Sequence, residues 1–393
     1  DMEFPERFSN LPPYAFPRLR DLLDSHPAGG PVLHMSIGEP KHPMPEFLGA
    51  ALAESTAAFA SYPDNNGTPE LLGAIADWLK RRYKTTLNPA TQIMALNGSR
   101  EGLFNCCLAL SPEQKHGRRP RALIPNPFYQ VYAVAAVTAG ADPVFVPARA
   151  DTGFLPDYAA VPASVLNDVT VAYICSPSNP QGAVASRDYW ADLIALAEKY
   201  DFRIFADECY SEVYRGDAPA GALQVAVDVG ADPDRVVIFH SLSKRSNLPG
   251  MRSGFVASGP RNMTAIKTLR AYSGAPLPGP IQHVSARVWA DEAHVEHSRA
   301  LYVEKFVIAD SIFAGLDDYA PPQAGFFLWL PVEDGEQAAL QLWRETGVRV
   351  LPGKYLSRPT PDGDPGEGYI RVALVAEKDE MTDGLRKIRD CLY

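Results

Sequence analysis

Basic residues are in the minority in this chain: 37 Lys and Arg stand against 47 Asp and Glu, giving a formal charge of −10 and a pI near 5.4. That balance, with no block of basic residues, argues against a nucleic-acid surface. Long apolar runs are missing as well, and without one of about eighteen residues no membrane-spanning helix is expected. The opening residues Asp1-Met2-Glu3-Phe4-Pro5 lack a basic stretch leading into an apolar one, so the expected address is the cytoplasm. Cysteine is scarce. Cys106, Cys107, Cys175, Cys209 and Cys391 make an odd set without Cys-x-x-Cys spacing, which suggests buried reduced thiols and neither a disulfide framework nor a metal site. No segment is low in complexity, and no repeat recurs at solenoid spacing. What remains is a 393-residue chain, 46% hydrophobic, long enough for one large or two moderate cores, whose 36 prolines imply many stiff loops.

One stretch organises the rest: Ser241-Leu242-Ser243-Lys244-Arg245-Ser246-Asn247-Leu248-Pro249-Gly250-Met251-Arg252-Ser253-Gly254-Phe255. It follows the apolar run Val236-Val237-Ile238-Phe239, which reads as a buried strand, so Lys244 is expected in the loop leaving a strand end. Taken alone, a Ser-x-x-Lys is most often a solvated surface turn. The later Arg252 and Gly254 favour another reading: an amine that bonds an aldehyde cofactor, a serine and a fixed cation for its phosphate, and glycines that let the backbone approach. The segment resembles the cofactor-lysine segment of fold-type I pyridoxal 5'-phosphate aminotransferases, the aspartate aminotransferase superfamily.

The rest of the chain supplies matching segments in family order. Val32 to Pro40 reads as a short strand running into a Gly-Pro turn, and the resemblance puts Gly38 beside the substrate carboxylate. Tyr62-Pro63-Asp64-Asn65-Asn66-Gly67-Thr68-Pro69-Glu70 is a polar loop entering a helix with Thr68 as N-cap. A tyrosine there is ordinarily a rim residue, whereas the family's counterpart reaches the cofactor phosphate of the neighbouring subunit, which implies a homodimer with shared active sites. Asn97-Gly98-Ser99-Arg100 opens a helix whose free N–H groups suit an anion. The family has its phosphate cup at this point, matched by Gly98, Ser99 and Arg100. Asn126-Pro127-Phe128-Tyr129 leaves a strand; an aromatic here commonly caps the core, but the resemblance implies that Tyr129 stacks on the cofactor ring, with Phe128 as fallback.

Val169 to Cys175 reads as a parallel-type buried strand ending in Asn179-Pro180-Gln181-Gly182. Gln181 departs from the family's usual threonine, and Asn179 takes the place of the residue bound to the cofactor's ring oxygen. Phe202 to Asp207 is another apolar strand, with a carboxylate where doubly wound sheets bind ligands. By resemblance Asp207 pairs with the pyridine nitrogen and Tyr210 with the ring oxygen. Beyond Gly254 a long amphipathic stretch is expected from Ile281 to Gly315, then strands at 324–330 and 368–374. Arg371 lies inside the second and needs an anion or water. The family's substrate-carboxylate clamp falls there.

The expected fold is α/β. Residues 46–285 form a large domain whose mostly parallel seven-stranded sheet is sandwiched by helices; a smaller α+β domain comprises residues 1–45 and 286–393. The implied activity is transamination between amino acids and 2-oxo acids, with Lys244, Asp207 and Tyr210 at the chemistry. Cofactor contacts are expected from Tyr62, Gly98, Ser99, Arg100, Tyr129, Asn179, Ser241, Ser243 and Arg252, and substrate contacts from Gly38, Asn179 and Arg371. Short blocks such as Gly38-Glu39-Pro40-Lys41-His42-Pro43 look closest to bacterial N-succinyl-diaminopimelate aminotransferases, which use glutamate as donor. A long anionic substrate would want a second cation, for which Lys41, Arg100 and Arg245 are candidates. Alternatives are an aspartate, aromatic or LL-diaminopimelate aminotransferase, or a C–S lyase. A non-catalytic effector domain fits less well, since the lysine, aspartate and arginine set is intact and no helix-turn-helix or basic patch is present.

Overall fold

A computed structural model describes all 393 residues. Its strands are β1 (Leu33–His34), β2 (Ile93–Leu96), β3 (Arg121–Asn126), β4 (Asp142–Pro147), β5 (Val169–Cys175), β6 (Arg203–Asp207), β7 (Val236–Ser241), β8 (Gly254–Ala257), β9 (Phe327–Pro331), β10 (Val348–Arg349), β11 (Leu351–Pro352) and β12 (Tyr369–Ala373). Seven of them form the large sheet in the order β2-β8-β7-β6-β5-β3-β4. The run from β7 to β4 is parallel, while β8 runs antiparallel to both its neighbours. The mostly parallel seven-stranded sheet expected from the sequence is therefore present. The strands β5, β6 and β7 are apolar almost throughout because both faces are covered: one core holds Trp190, Ile204 and Ile238, the opposite one Tyr173, Phe205 and Val237.

Parallel strands joined by crossover helices bring their C-terminal ends to one edge. Cys175 on β5 pairs in register with Asp207 on β6, and Ser241 on β7 pairs with Gly254 on β8. Leu96, the last residue of β2, is also opposite Gly254. The segments that follow β2, β3, β5, β6 and β7 thus converge on one edge.

The C-terminal part has its own core, built on the antiparallel sheet β11-β12-β9 and including Leu328, Leu330, Ile370, Val372 and Leu385. The N-terminal arm belongs with it: β1 pairs with β10, and Leu19 and Leu23 of the helix Ala15–Leu23 pack with Trp343, Leu351 and Tyr355.

The amphipathic stretch 281–315 is made of two helices, Gly279–Ala290 and Ala293–Ile312. The break comes at Asp291, whose backbone is extended and whose side chain accepts the His294 backbone N–H at 3.1 Å. The boundary drawn at residue 285 falls inside the first of these helices. Val284, Ala286, Val288 and Trp289 all sit in the large-sheet core, and the Trp289 ring centroid is 4.8 Å from that of Trp78. We propose that the large domain ends at Ala290. No helix is long and apolar enough to cross a membrane.

Candidate active site

At the sheet's C-terminal edge lies a cleft of about 250 Å³. Of the residues singled out in the sequence, Ser99, Arg100, Tyr129, Asn179, Asp207, Tyr210, Ser241, Ser243, Lys244 and Arg252 line it. Lys244 stands in a one-turn helix, Leu242–Arg245, rather than in an open loop. The Ser241 side chain caps that turn, accepting the Ser243 N–H at 3.0 Å and donating to Ser243 Oγ at 2.9 Å. The lysine Nζ donates to the Gly38 carbonyl at 2.5 Å and lies 5.5 Å from the Phe326 ring centroid. Burial pushes its pKa down to about 8, and the charges of Arg371 and Arg252 push the same way. An amine so placed is in part a free base near neutral pH.

One end of the cleft is built for an anion. The helix Ser99–Leu110 presents its N-terminus there, with its unpaired N–H groups and positive dipole end. Arg252 is exposed; its guanidinium donates to the Pro249 carbonyl at 2.9 Å and has no carboxylate partner. Gly98 has φ +80°, and a Cβ on it would come within 2.4 Å of the Arg252 Nη2. Only glycine lets the helix start and the arginine approach so closely.

Elsewhere in the cleft the groups are planar or acidic. Tyr129 is half-exposed at the helix start Gln130–Thr138, while Phe128 is buried in the core against Phe145, so the fallback register is not the one adopted. Asp207 is 5% exposed, and its Oδ2 accepts from the Tyr132 hydroxyl at 2.5 Å. Burial, and then the Asp207 charge, raise the Tyr132 phenol well above its usual range, which fixes it as a donor. Tyr210 is raised in the same way by burial and remains protonated.

Arg371 is buried in β12 and lies just behind the cleft wall. It donates to Asn179 Oδ1 at 3.1 Å and to the Ser36 carbonyl at 2.8 Å, with the Phe327 ring centroid 4.1 Å from its Cζ. Its Nε has no partner, and no carboxylate pairs with it. A buried guanidinium that lacks an anion is an anion site.

The donor set matches pyridoxal phosphate group by group: a helix N-terminus with Ser99, Ser241, Ser243 and Arg252 for a phosphate, Tyr129 for a ring face, Asp207 for a protonated ring nitrogen, and Lys244 for an aldehyde. A family model for aminotransferases of class I and II matches residues 30–388. The chain belongs to that family, whose members depend on pyridoxal phosphate. Over 402 residues it is 31% identical to the LL-diaminopimelate aminotransferase of Dehalococcoides mccartyi (strain ATCC BAA-2266 / KCTC 15142 / 195), covering 98% of each chain. Among solved structures it resembles an aminotransferase from Neisseria meningitidis Z2491 (TM-score 0.94, 38% identity, 99% of this chain and 100% of that one). It also resembles a probable N-succinyldiaminopimelate aminotransferase from Thermus thermophilus (TM-score 0.83, 26% identity, 96% of this chain and 100% of that one).

In this aminotransferase four expected residues lie off the cleft wall. Gly98, Gly38 and Arg371 touch it through Arg252, Lys244 and Asn179 respectively. Tyr62 is fully exposed in a loop and meets no other site residue within this chain. Among the candidate second cations, Arg100 lines the cleft, whereas Arg245 is buried against Trp289 and donates to the Val288 and Trp289 carbonyls, facing away from it. Lys41 is exposed beside Glu39. Sequence reasoning missed Tyr132, Cys175, Cys209 and Pro249, all of which line the cleft. Tyr132 was within reach of it: three residues after Tyr129 in a helix start, it shares that residue's face.

Proposed function

We propose that this aminotransferase exchanges an amino group between glutamate and 2-oxoglutarate on one side and an amino acid of the diaminopimelate skeleton on the other, in lysine and diaminopimelate synthesis. The observation that carries an α-carboxylate substrate is Arg371, a buried cation with an unpartnered Nε and no acidic neighbour. Relatives matched over nearly their whole length are named for LL-diaminopimelate, so we put the free compound first. The N-succinyl compound read from the sequence is the second reading, favoured by the similar Thermus structure.

When bound, pyridoxal phosphate supplies an aldehyde carbon that carries the amino group and a ring that withdraws electrons. Ser99, Ser241, Ser243 and Arg252 would hold its phosphate, Tyr129 one ring face, and Asp207 its ring nitrogen, with Tyr132 keeping that carboxylate in place. Asn179 and Tyr210 would bond its ring oxygen. Arg371 would bind the substrate carboxylate through two parallel N–H bonds and so hold the Cα–H bond toward the lysine. Lys244, poised near its own pKa, would take the proton from Cα at Nζ and return it on the other side of the exchange. Two substrates served in turn by one site imply ping-pong kinetics.

We further propose a homodimer in which Tyr62 completes the neighbour's site. Its full exposure leaves a large aromatic side chain for a partner to cover. All five cysteines are unpaired, which suits a reducing compartment, and we place the reaction in the cytoplasm. The test is glutamate production from 2-oxoglutarate with LL-diaminopimelate, N-succinyl-LL-diaminopimelate, aspartate and phenylalanine as donors. The reading expects one of the first two to have the highest kcat/KM; a higher value for aspartate or phenylalanine would overturn it.

A further inference from the structure

The turn from Ser36 to Pro43 meets the site at two carbonyls: Ser36 accepts from Arg371 and Gly38 from Lys244. Both donors are the groups that ligands would engage, so neither contact can be the turn's permanent anchor. The turn's own apolar hold is confined to the buried Pro40 and to Gly38 against Phe327, since Ile37 is 49% exposed and Glu39 and Lys41 form an ion pair in solvent. Its far end, however, is tied into a buried polar network that uses none of the expected site residues.

Lys305, on the helix Ala293–Ile312, is 4% exposed, and its Nζ lies 3.0 Å from Nε2 of His42. Nδ1 of His42 is 3.0 Å from the Ser298 hydroxyl, and the ring packs on Tyr302 with centroids 4.2 Å apart. Asn247, three residues beyond Lys244, donates to the same hydroxyl at 3.3 Å and to the Pro43 carbonyl at 3.1 Å. An ammonium can only donate, so His42 accepts at Nε2 and its proton sits on Nδ1, directed at Ser298. Burial lowers His42 to about 4 and Lys305 to about 8, with His297 and Glu377 as the other titratable groups nearby. The ring is therefore neutral at physiological pH and keeps that acceptor free. The network joins a small-domain helix, the substrate-side turn and the segment carrying the lysine.

We propose that His42 and Lys305 are positioning residues that fix the Ser36–Pro43 turn against Arg371 and Lys244 and thereby set the affinity for the substrate carboxylate. The inference rests on Arg371 being the carboxylate site. A buried amine whose hydrogen-bond partner is an imidazole is costly to keep, and such a cluster is retained where it specifies geometry.

The test uses His42→Phe, which keeps a ring on Tyr302 but removes both nitrogens, with Lys305→Met as the second variant and His42→Gln as the one that retains an acceptor. In the cofactor-free protein, amide exchange over residues 36–43 should accelerate about tenfold in the first two, with global Tm little changed. In the loaded enzyme the KM for glutamate should rise about tenfold with kcat within about twofold, and His42→Gln should recover most of the loss. The double variant should be no worse than either single one, because the two side chains act as a unit. Unchanged exchange in 36–43, or faster exchange with an unchanged KM, would overturn the proposal. Should KM also fail to respond to Arg371→Met, the fault would lie with the carboxylate site and not with the turn.

Discussion

Replacing Arg371 with methionine separates ligand binding from folding more cleanly than any other substitution at this site. The arginine is buried, and burial pulls its pKa down to about 10, a cost to the charged form on the order of 3 kcal/mol. Methionine removes that cost and fills most of the volume. What it loses is the bond to the Ser36 carbonyl and the bond to Asn179 Oδ1, together about 3 kcal/mol at the lower value for a charged donor. The two effects nearly offset, so the Tm of the substrate-free protein should move by no more than about 3 °C. Binding is different: truncating one partner of a buried, hydrogen-bonded charge pair costs about 2–5 kcal/mol, or roughly 30- to 5000-fold in kcat/KM. The assay is single-turnover loss of the cofactor's colour with glutamate, beside a thermal melt. A variant that keeps its Tm and its kcat/KM for glutamate would refute the reasoning, as would one whose activity falls only in proportion to unfolded protein.

Three further outcomes follow from the same geometry. Tyr132→Phe removes the 2.5 Å donor to Asp207 and should lower kcat about tenfold while leaving the melt unchanged; an unaltered kcat would show that Asp207 needs no such support. Gly98→Ala puts a methyl 2.4 Å from Arg252 at a left-handed φ, and should weaken pyridoxal phosphate binding at least tenfold in a titration of the cofactor-free protein. Because Lys244 loses its proton near pH 8 rather than 10.5, covalent capture of pyridoxal phosphate by the cofactor-free protein should quicken as pH rises through about 8 and level off above it. A rate still climbing nearly tenfold per pH unit at pH 9 would contradict the lowered pKa.

Much of the site was legible because its residues lie directly after buried strands. Val169–Cys175, Arg203–Asp207 and Val236–Ser241 declare themselves by apolar runs, and a parallel sheet then puts their ends on one edge. Asp207, Asn179 and Lys244 fall together for that reason alone. The division of the long stretch after Ile281 was not legible, because no proline or glycine marks the break, which comes where Asp291 turns extended and accepts from the His294 backbone. Cys175 and Cys209 were passed over since a thiol has no pattern in sequence that separates cleft from core. The His42–Lys305 contact spans two chain segments that share no local signal, so only the folded chain discloses it.

The central claim, that Lys244 carries the cofactor of a transaminating site, is tested most directly by the absorbance of purified protein loaded with pyridoxal phosphate, read before and after glutamate and then after a 2-oxo acid. The wild type should be yellow, bleach with glutamate and regain its colour with the 2-oxo acid, while Lys244→Ala should complete no such cycle. A wild-type protein that stays colourless, or a Lys244→Ala variant that cycles at the wild-type rate, would contradict it.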